Sequence, residues 1–271
     1  MGSPHARQRL ARWLATPAGE ALRLLVLFGG LVWLVALGAG GFGYSWQWQR
    51  VPRYLGQLFE GGFYPGPLLR GLGVTVQISA SGLGLALLFG VITATARLAG
   101  TRVGQGLARA YLELIRNTPL LIQIYLLYFV AAPIVGMSRW WVAVLALALF
   151  EGATMSEAMR GAVLAIPRGH WENAAALGLS ERQAYLFVVL PQALRLALPP
   201  LAGRAVSLVK SSAIVSVIAV FDLTTEGRNI ISETFMTFEI WLTVAALYLL
   251  ITTPLSLAAQ GLERRLARGT G

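Results

Sequence analysis

The sequence predicts an all-α membrane protein with about six transmembrane helices, and two observations support this fold class. Hydrophobic residues make up 56% of the chain and charged residues 13%, whereas soluble domains average about 45–50% and about 25%. Six apolar stretches are also long enough to cross a bilayer, which takes about twenty residues at about 1.5 Å each. These values exclude a soluble globular enzyme, and the high hydrophobicity excludes a disordered chain. The stretches are Leu22 to Phe42, Leu68 to Ala96, Tyr111 to Val135, Trp140 to Met159, Leu196 to Val220 and Ile240 to Gln260.

The first stretch has two interpretations. Basic residues precede the apolar run Leu24 to Leu37, and the small residues Gly38, Ala39 and Gly40 follow it, which is also typical of a secretory signal peptide. The run is rather long for a signal peptide, and its length favours a retained helix. The five later stretches keep the same orientation under either interpretation.

The third and fifth stretches are irregular. Pro119 interrupts the third, and the fifth carries Pro199, Pro200, Arg204 and Lys210. Helix breakers and charges at membrane depth are tolerated mainly where they face a protein interior or a water-filled cavity. We therefore expect these two spans to face such surroundings rather than lipid.

The distribution of arginines predicts the orientation. They concentrate before the first stretch, in alternate loops and after the sixth stretch, and cytoplasmic loops are enriched in basic residues. Both chain ends are therefore predicted to be cytoplasmic. The expected organisation is residues 1–66 as a basic segment, first helix and external aromatic loop, residues 67–266 as the core domain, and residues 267–271 as a tail. The cytoplasmic arginines are Arg7, Arg9, Arg12, Arg97, Arg102, Arg109, Arg160, Arg168, Arg182, Arg195, Arg264, Arg265 and Arg268, and the external aromatic residues are Trp46, Trp48, Tyr54 and Tyr64.

The charge distribution and the numbers of cysteine and histidine residues argue against nucleic-acid binding, disulfide bonds and metal sites. The net charge of +10 is spread between apolar runs rather than gathered in one patch, which disfavours a nucleic-acid partner. The chain has no cysteine and two histidines, so disulfides, thiolate metal sites and cysteine nucleophiles are excluded and a histidine metal centre is not expected.

The loop between the fourth and fifth stretches carries the strongest motif. Its composition predicts two short helices on the membrane surface, Glu172 to Leu177 and Glu181 to Val189. Gly178 ends the first, Ser180 and Gln183 form a capping box for the second, and Pro191 stops the second. A plain surface connector is the alternative interpretation.

This loop resembles the EAA loop of importer permeases of the ATP-binding cassette class. The pattern of that loop is E-A-A, three residues, G, nine residues, I, one residue, L-P, and the spacing from Glu172 to Pro191 is the same. Two residues depart from it, since Asn173 replaces the first alanine and Val188 replaces isoleucine. Further similarity to the polar amino acid uptake branch is found in A-Y-L-E-L-I-R-N-T-P-L-L-I-Q-I-Y, A-I-P-R-G-H-W-E and L-P-Q-A-L-R-L-A-L-P-P-L, and the resemblance covers about Leu68 to Leu266.

The resemblance implies a five-helix importer permease core plus an N-terminal helix, in a bacterial cytoplasmic (inner) membrane. It also implies a coupling helix that docks on a cytoplasmic ATPase. The implied partners are two ATPase subunits that bind ATP and Mg²⁺, a second permease subunit, identical or paralogous, and an external substrate-binding protein. This chain is expected to bind no cofactor and to hydrolyse no ATP, because it has no G-x-x-x-x-G-K-[ST] loop. The expected coupling residues are Glu172, Asn173, Ala174, Ala175, Gly178, Leu190 and Pro191.

The substrate is predicted to be a polar amino acid. The stretch Leu149 to Gly161 is similar to glutamate and aspartate permeases, which indicates an acidic one. A free amino acid needs a cation for its carboxylate and an acceptor for its ammonium, both shielded from bulk water. The family usually has an aspartate after Lys210, where this chain has serine. The expected path residues are Glu151, Thr154, Arg204, Ser207, Lys210 and Ser211, and a salt bridge between the fourth and fifth spans is the structural alternative.

Two other functions have weaker support in the sequence. A secondary transporter or channel is supported by Glu151 and Lys210 within spans, but the absence of evident internal repeats and the elaborate cytoplasmic loop disfavour it. An intramembrane enzyme has little support, because neither histidine falls within a span.

Overall fold

The computed structural model describes residues 29, 30, 33, 44–59, 61–99 and 101–267. Most of the predicted first span, residues 22–42, and the tail residues 268–271 therefore lie outside the described residues. The chain divides into two compact units, residues 1–47 and residues 48–271, and the second unit carries the helices discussed below.

The second unit begins with a short aromatic segment that folds locally. A 3₁₀ turn at Trp48–Arg50 leads into helix α1, Pro52–Leu55. Strands β1, Gly56–Phe59, and β2, Gly62–Pro65, then form an antiparallel hairpin in which Gln57 pairs with Tyr64 and Leu58 with Phe63. The sequence prediction of an external aromatic loop missed this hairpin.

Eight further helices follow among the residues that the structure describes. Four of them, α2, α5, α7 and α9, are long and apolar enough to cross a membrane, and the bent pair α3 and α4 makes a fifth candidate if it counts as one span. This number agrees with a five-helix core among the described residues. The helices are α2, Pro67–Leu98; α3, Arg102–Arg116; α4, Leu120–Val135; α5, Arg139–Leu164; α6, Arg168–Ala176; α7, Glu181–Ile218; α8, Leu223–Thr234; and α9, Thr237–Ala267.

The third predicted span is not one continuous helix. Helices α3 and α4 meet at an angle of 106°. Pro119 at the bend has an extended backbone and lacks the amide that a continuous helix would use. The side chain of Gln123 holds the bend together, because its Nε2 donates to the Ile115 carbonyl at 2.8 Å and to Thr118 Oγ1 at 2.9 Å.

The loop between the fourth and fifth stretches was predicted correctly at its first turn and wrongly at its end. Gly178 terminates α6 with a φ of +78°, and Ser180 caps α7 in a capping box with Gln183, as expected. Pro191 does not stop the second helix. A π-helical turn at Tyr185–Val189 precedes it, and such a turn widens the helix and makes room for the proline ring. The surface helix and the fifth span are therefore one helix, α7.

The core lies where α2, α5 and α7 meet. Helices α2 and α5 approach closely because Gly152 has no side chain, and a Cβ there would lie 3.0 Å from the Ala86 carbonyl oxygen. Ile78, Leu147 and Leu208, one from each helix, are fully buried in the same cluster. This packing brings the polar positions of α5 and α7 face to face.

Helix α8 closes the end of the core that lies away from α6. Asp222 caps it, since its Oδ1 accepts from the Thr225 amide at 3.0 Å and its Oδ2 from the Thr224 amide at 3.3 Å. The Leu223 amide donates to Thr75 Oγ1 on α2 at 3.1 Å. Burial raises the pKa of Asp222, and the hydrogen bonds from Thr225 and Thr224 oppose this rise. Sequence inspection missed α8, although its aspartate cap was a readable signal.

Candidate substrate path and coupling surface

An ion pair between α5 and α7 is the central feature of the candidate substrate path. Arg204 places Nε and Nη2 each 2.8 Å from Oε2 of Glu151. The Glu151 side chain is 0% exposed and that of Arg204 is 32% exposed. Oε1 of Glu151 is buried and has no hydrogen-bond partner. The structure thus brings two predicted path residues together, in the interhelical salt bridge that the sequence left as an alternative.

Lys210 does not take part in this ion pair. It lies on α7, is exposed, and has no carboxylate within 4.0 Å among the described residues. A bare ammonium group in contact with hydrocarbon is costly. This surface of α7 is therefore suited to water or to another polypeptide rather than to lipid.

The other three predicted path residues are half-buried and lie on the same two helices. Thr154 follows Glu151 by three positions on α5, so both lie on one face. Ser207 and Ser211 follow Arg204 by three and seven positions on α7, and Ser207 Oγ donates to the Gly203 carbonyl at 3.2 Å. The polar stripe predicted along the fifth span therefore includes the exposed part of Arg204.

The candidate coupling surface is formed by α6 and the turn after it. Trp171 on α6 packs near Tyr185 on α7, with ring centroids 6.3 Å apart, and both contact a small apolar cluster that includes Ile166 and Val189. Of the predicted coupling residues, Ala174 is buried against its own chain and Leu190 is half-buried. The others point outward and are exposed: Glu172, Asn173, Ala175, Gly178 and Pro191.

The turn after α6 has a defined backbone geometry. The Gly178 amide donates to the Ala175 carbonyl at 2.9 Å, and the Leu179 amide donates to the Ala174 carbonyl at 3.1 Å. These two bonds and the positive φ of Gly178 form a Schellman motif. The motif exposes Leu177, whose side chain is 81% exposed. Sequence inspection missed Leu177, although an apolar residue beside a helix-ending glycine was a readable signal.

The chain matches a known family of transport proteins. Residues 86–268 match the family described as "Binding-protein-dependent transport system inner membrane component". The chain belongs to this family. The resemblance to importer permeases of the ATP-binding cassette class, drawn from the loop motif, is thereby confirmed, and the family places the permease in the inner membrane.

Two curated relatives and one solved structure illustrate the similarity. The permease is 37% identical to glutamine transport system permease protein GlnP of Escherichia coli (strain K12), over 73% of this chain and 92% of the relative. It is 34% identical to probable glutamine ABC transporter permease protein GlnM of Bacillus subtilis (strain 168), over 72% and 90%. A crystal structure of an amino acid ABC transporter with histidines superposes on 73% of this chain and 94% of its own, with 32% identity and a TM-score of 0.69.

A second ion cluster links α2 and α5 of the permease near the candidate coupling surface. Glu157 on α5 forms a salt bridge with Arg97 on α2, and Arg160 Nη2 lies 3.5 Å from Glu157 Oε2. Arg97 and Arg160 were predicted to lie on the cytoplasmic side, but their pairing with Glu157 was not predicted. Their partner Glu157 keeps the loop end of α2 fixed against α5.

Proposed function

We propose that this permease carries a polar amino acid across the membrane along the polar stripe of α7 formed by Arg204, Ser207 and Ser211, with Lys210 adjoining the stripe. The observation that supports this most directly is the ion pair between the buried Glu151 and the partly exposed Arg204, with an exposed Lys210 further along α7. Charged groups inside a span are expensive and are retained mainly for function. Two relatives are named for glutamine transport, which agrees with a polar substrate.

The charges of the path can orient a free amino acid. The exposed ammonium of Lys210 is available to a carboxylate, and the hydroxyl groups of Ser207 and Ser211 can accept from an ammonium group. Arg204 is held in one orientation by Glu151 and is still one third exposed. The role of Glu151 is therefore to position Arg204 rather than to touch the substrate.

An acidic amino acid is the second candidate substrate, and one observation favours it. Glu151 and Arg204 neutralise each other, so the six path residues together carry the single positive charge of Lys210. This charge complements a ligand with one net negative charge. Glutamine and glutamate have nearly the same shape but differ in charge. Competition between them for uptake therefore shows whether the permease recognises the charge or the shape of its substrate.

We further propose that the outward residues of α6 and its turn dock on a cytoplasmic ATPase. An exposed surface is formed by Glu172, Asn173, Ala175, Leu177 and Gly178. Its apolar side chain, Leu177, lies beside small residues, and such a surface is suited to bind in a cleft on a partner. The proposed complex has two ATPase subunits, which bind ATP and Mg²⁺ and hydrolyse the ATP, a second permease and an external substrate-binding protein. Both ends of this chain face the cytoplasm.

Uptake by the complete complex tests this function. The complex is reconstituted in vesicles with the binding protein on the side opposite the ATPase, and uptake of labelled glutamine, glutamate, arginine and leucine is measured with ATP or with ADP. We expect ATP-dependent uptake of at least one polar amino acid and none of leucine. Uptake that needs an ion gradient but no ATP would contradict the proposal and favour a secondary transporter.

A further inference from the structure

A cationic cavity lies at the end of α2 that is remote from the coupling loop. Its volume is about 420 Å³, and it is lined by Arg53 and Arg70, by the tyrosines Tyr54 and Tyr64, and by Gln57, Pro65, Gly66 and Pro67. Every described polar side chain in this lining can donate a hydrogen bond, and none of the described lining residues is acidic. The cavity is therefore complementary to an anion.

The two arginines differ in how much of their charge is compensated. Arg53 donates to the hydroxyl of Tyr54 at 2.5 Å and lies 4.7 Å from the centre of its ring, but has no carboxylate within 4.0 Å among the described residues. Arg70 lies near Glu226 on α8. Burial raises the pKa of Glu226, and the charge of Arg70 opposes that rise. A second anion at the cavity would compensate the charge of Arg53.

The position of the cavity places it at a membrane surface. Helix α2 has 32 residues and is about 48 Å long, which exceeds the hydrocarbon thickness of about 30 Å. Its last residue, Leu98, lies beside Arg168 and Trp171 of the coupling region. The cavity surrounds the first residues of α2 and therefore lies at the opposite surface, at the level of the lipid headgroups.

The β-hairpin beside the cavity has two different faces. Residues opposite each other in an antiparallel pair point to the same side, so Gln57 and Tyr64 share the face that lines the cavity. Leu58 and Phe63 share the other face and are 83% and 57% exposed. A two-stranded hairpin is marginally stable alone, and an apolar face of this kind is stabilised by contact with hydrocarbon.

We propose that this cavity binds the phosphate of an acidic phospholipid in the leaflet opposite the coupling loop. Arg53 and Arg70 contact the phosphate, while Leu58 and Phe63 insert between acyl chains. A bilayer that contains anionic lipids supplies both features at one surface, because the charged headgroups lie directly above the acyl chains. A soluble anion would account for the arginines alone.

Native mass spectrometry of the purified complex tests this site, by titration with phosphatidylglycerol or phosphatidylcholine. Each basic residue near a surface contributes a factor of about five to the binding of an anionic lipid, so the pair Arg53→Gln and Arg70→Gln should weaken phosphatidylglycerol binding about 25-fold. The pair Arg53→Lys and Arg70→Lys keeps both charges and should lose much less. Arg102→Gln removes an exposed arginine near the coupling end and is the matched control.

Further measurements distinguish the phosphate of a lipid from a free anion. Leu58→Ser with Phe63→Ser should weaken lipid binding while the arginines remain in place. Displacement of phosphatidylglycerol by millimolar inorganic phosphate would assign the cavity to a free anion and overturn the proposal. Unchanged phosphatidylglycerol binding in the Arg53→Gln, Arg70→Gln complex would also overturn it, and weaker capture of the external binding protein by that complex would then assign the arginines to protein docking.

Discussion

Arg204 directs two guanidinium nitrogens to the same oxygen of Glu151 and leaves the other carboxylate oxygen buried without a hydrogen bond. This one-sided contact ties α5 to α7 across the centre of the core. It also holds the guanidinium of Arg204 on the polar stripe that continues to Ser207 and Ser211.

The ion pair predicts different stabilities for single and double substitutions. Arg204→Gln leaves the buried carboxylate of Glu151 without its partner, and removing one member of a buried pair costs about 3–5 kcal/mol. Because Arg204 is partly exposed, we expect about 3 kcal/mol, the lower end of that range. Glu151→Gln combined with Arg204→Gln should be more stable than Arg204→Gln alone. Thermal unfolding of the purified complexes measures this order, and strictly additive losses would contradict the coupling.

Lys210 is predicted to affect transport without affecting folding. It is exposed and has no carboxylate within 4.0 Å among the described residues, so Lys210→Met should leave the melting temperature of the complex unchanged. Uptake should fall at least tenfold, the effect of about 1.4 kcal/mol, because the substrate carboxylate loses a charged partner. Lys210→Arg is the control and should retain part of the uptake. Normal uptake of every amino acid by the Lys210→Met complex would show that Lys210 is not part of the substrate path.

Substitutions at Gly178 test the coupling surface. They distinguish an effect on backbone conformation from an effect on the contact with the ATPase. Gly178→Glu places a charge on the exposed turn and strains a φ of +78°, so we expect loss of ATPase binding and of transport while the permease is still inserted. Gly178→Asn is the matched control, because asparagine tolerates a left-handed backbone. Co-purification of the ATPase reports the outcome. Normal assembly and uptake in Gly178→Glu would indicate that Gly178 only ends a helix.

Helix spacing in the core depends on Gly152. A Cβ at this position would lie 3.0 Å from both the Ala86 carbonyl oxygen and Phe89 Cβ, so Gly152→Val should destabilise the permease by about 1–3 kcal/mol. Gly161 lies on the same helix in open space and is the matched control. Gly161→Ala should leave stability unchanged or raise it by about 0.5–1 kcal/mol. Equal melting temperatures for Gly152→Val and the parent would show that α2 and α5 separate without cost.

Orientation is testable by labelling, because the chain has no native cysteine. Ala176→Cys on the coupling loop and Ser232→Cys on α8 both place a thiol at an exposed position. An impermeant reagent added outside intact cells should label position 232 and spare position 176. Labelling of position 176 under these conditions would reverse the proposed topology.

The local features of the fold were determined by the sequence. Five apolar stretches coincide with long helices or with the bent pair, because about twenty apolar residues can satisfy their backbone in lipid only as a helix. The end of α6 at Gly178 and the capping box at Ser180 were also predictable, since each depends on residues within one turn. The family motif in the loop follows from the same local spacing.

Contacts between distant residues were decided by the tertiary structure. The sequence predicted that Glu151, Arg204 and Lys210 lie at membrane depth, but the choice of Arg204 as the partner of Glu151 depends on how α5 and α7 are rotated against each other. Pro191 is a local exception that the sequence prediction missed, because the π-helical turn directly before it lets α7 continue past the proline. Helix formation depends on neighbours a few residues apart, whereas side-chain pairing depends on helix packing, which no single segment encodes.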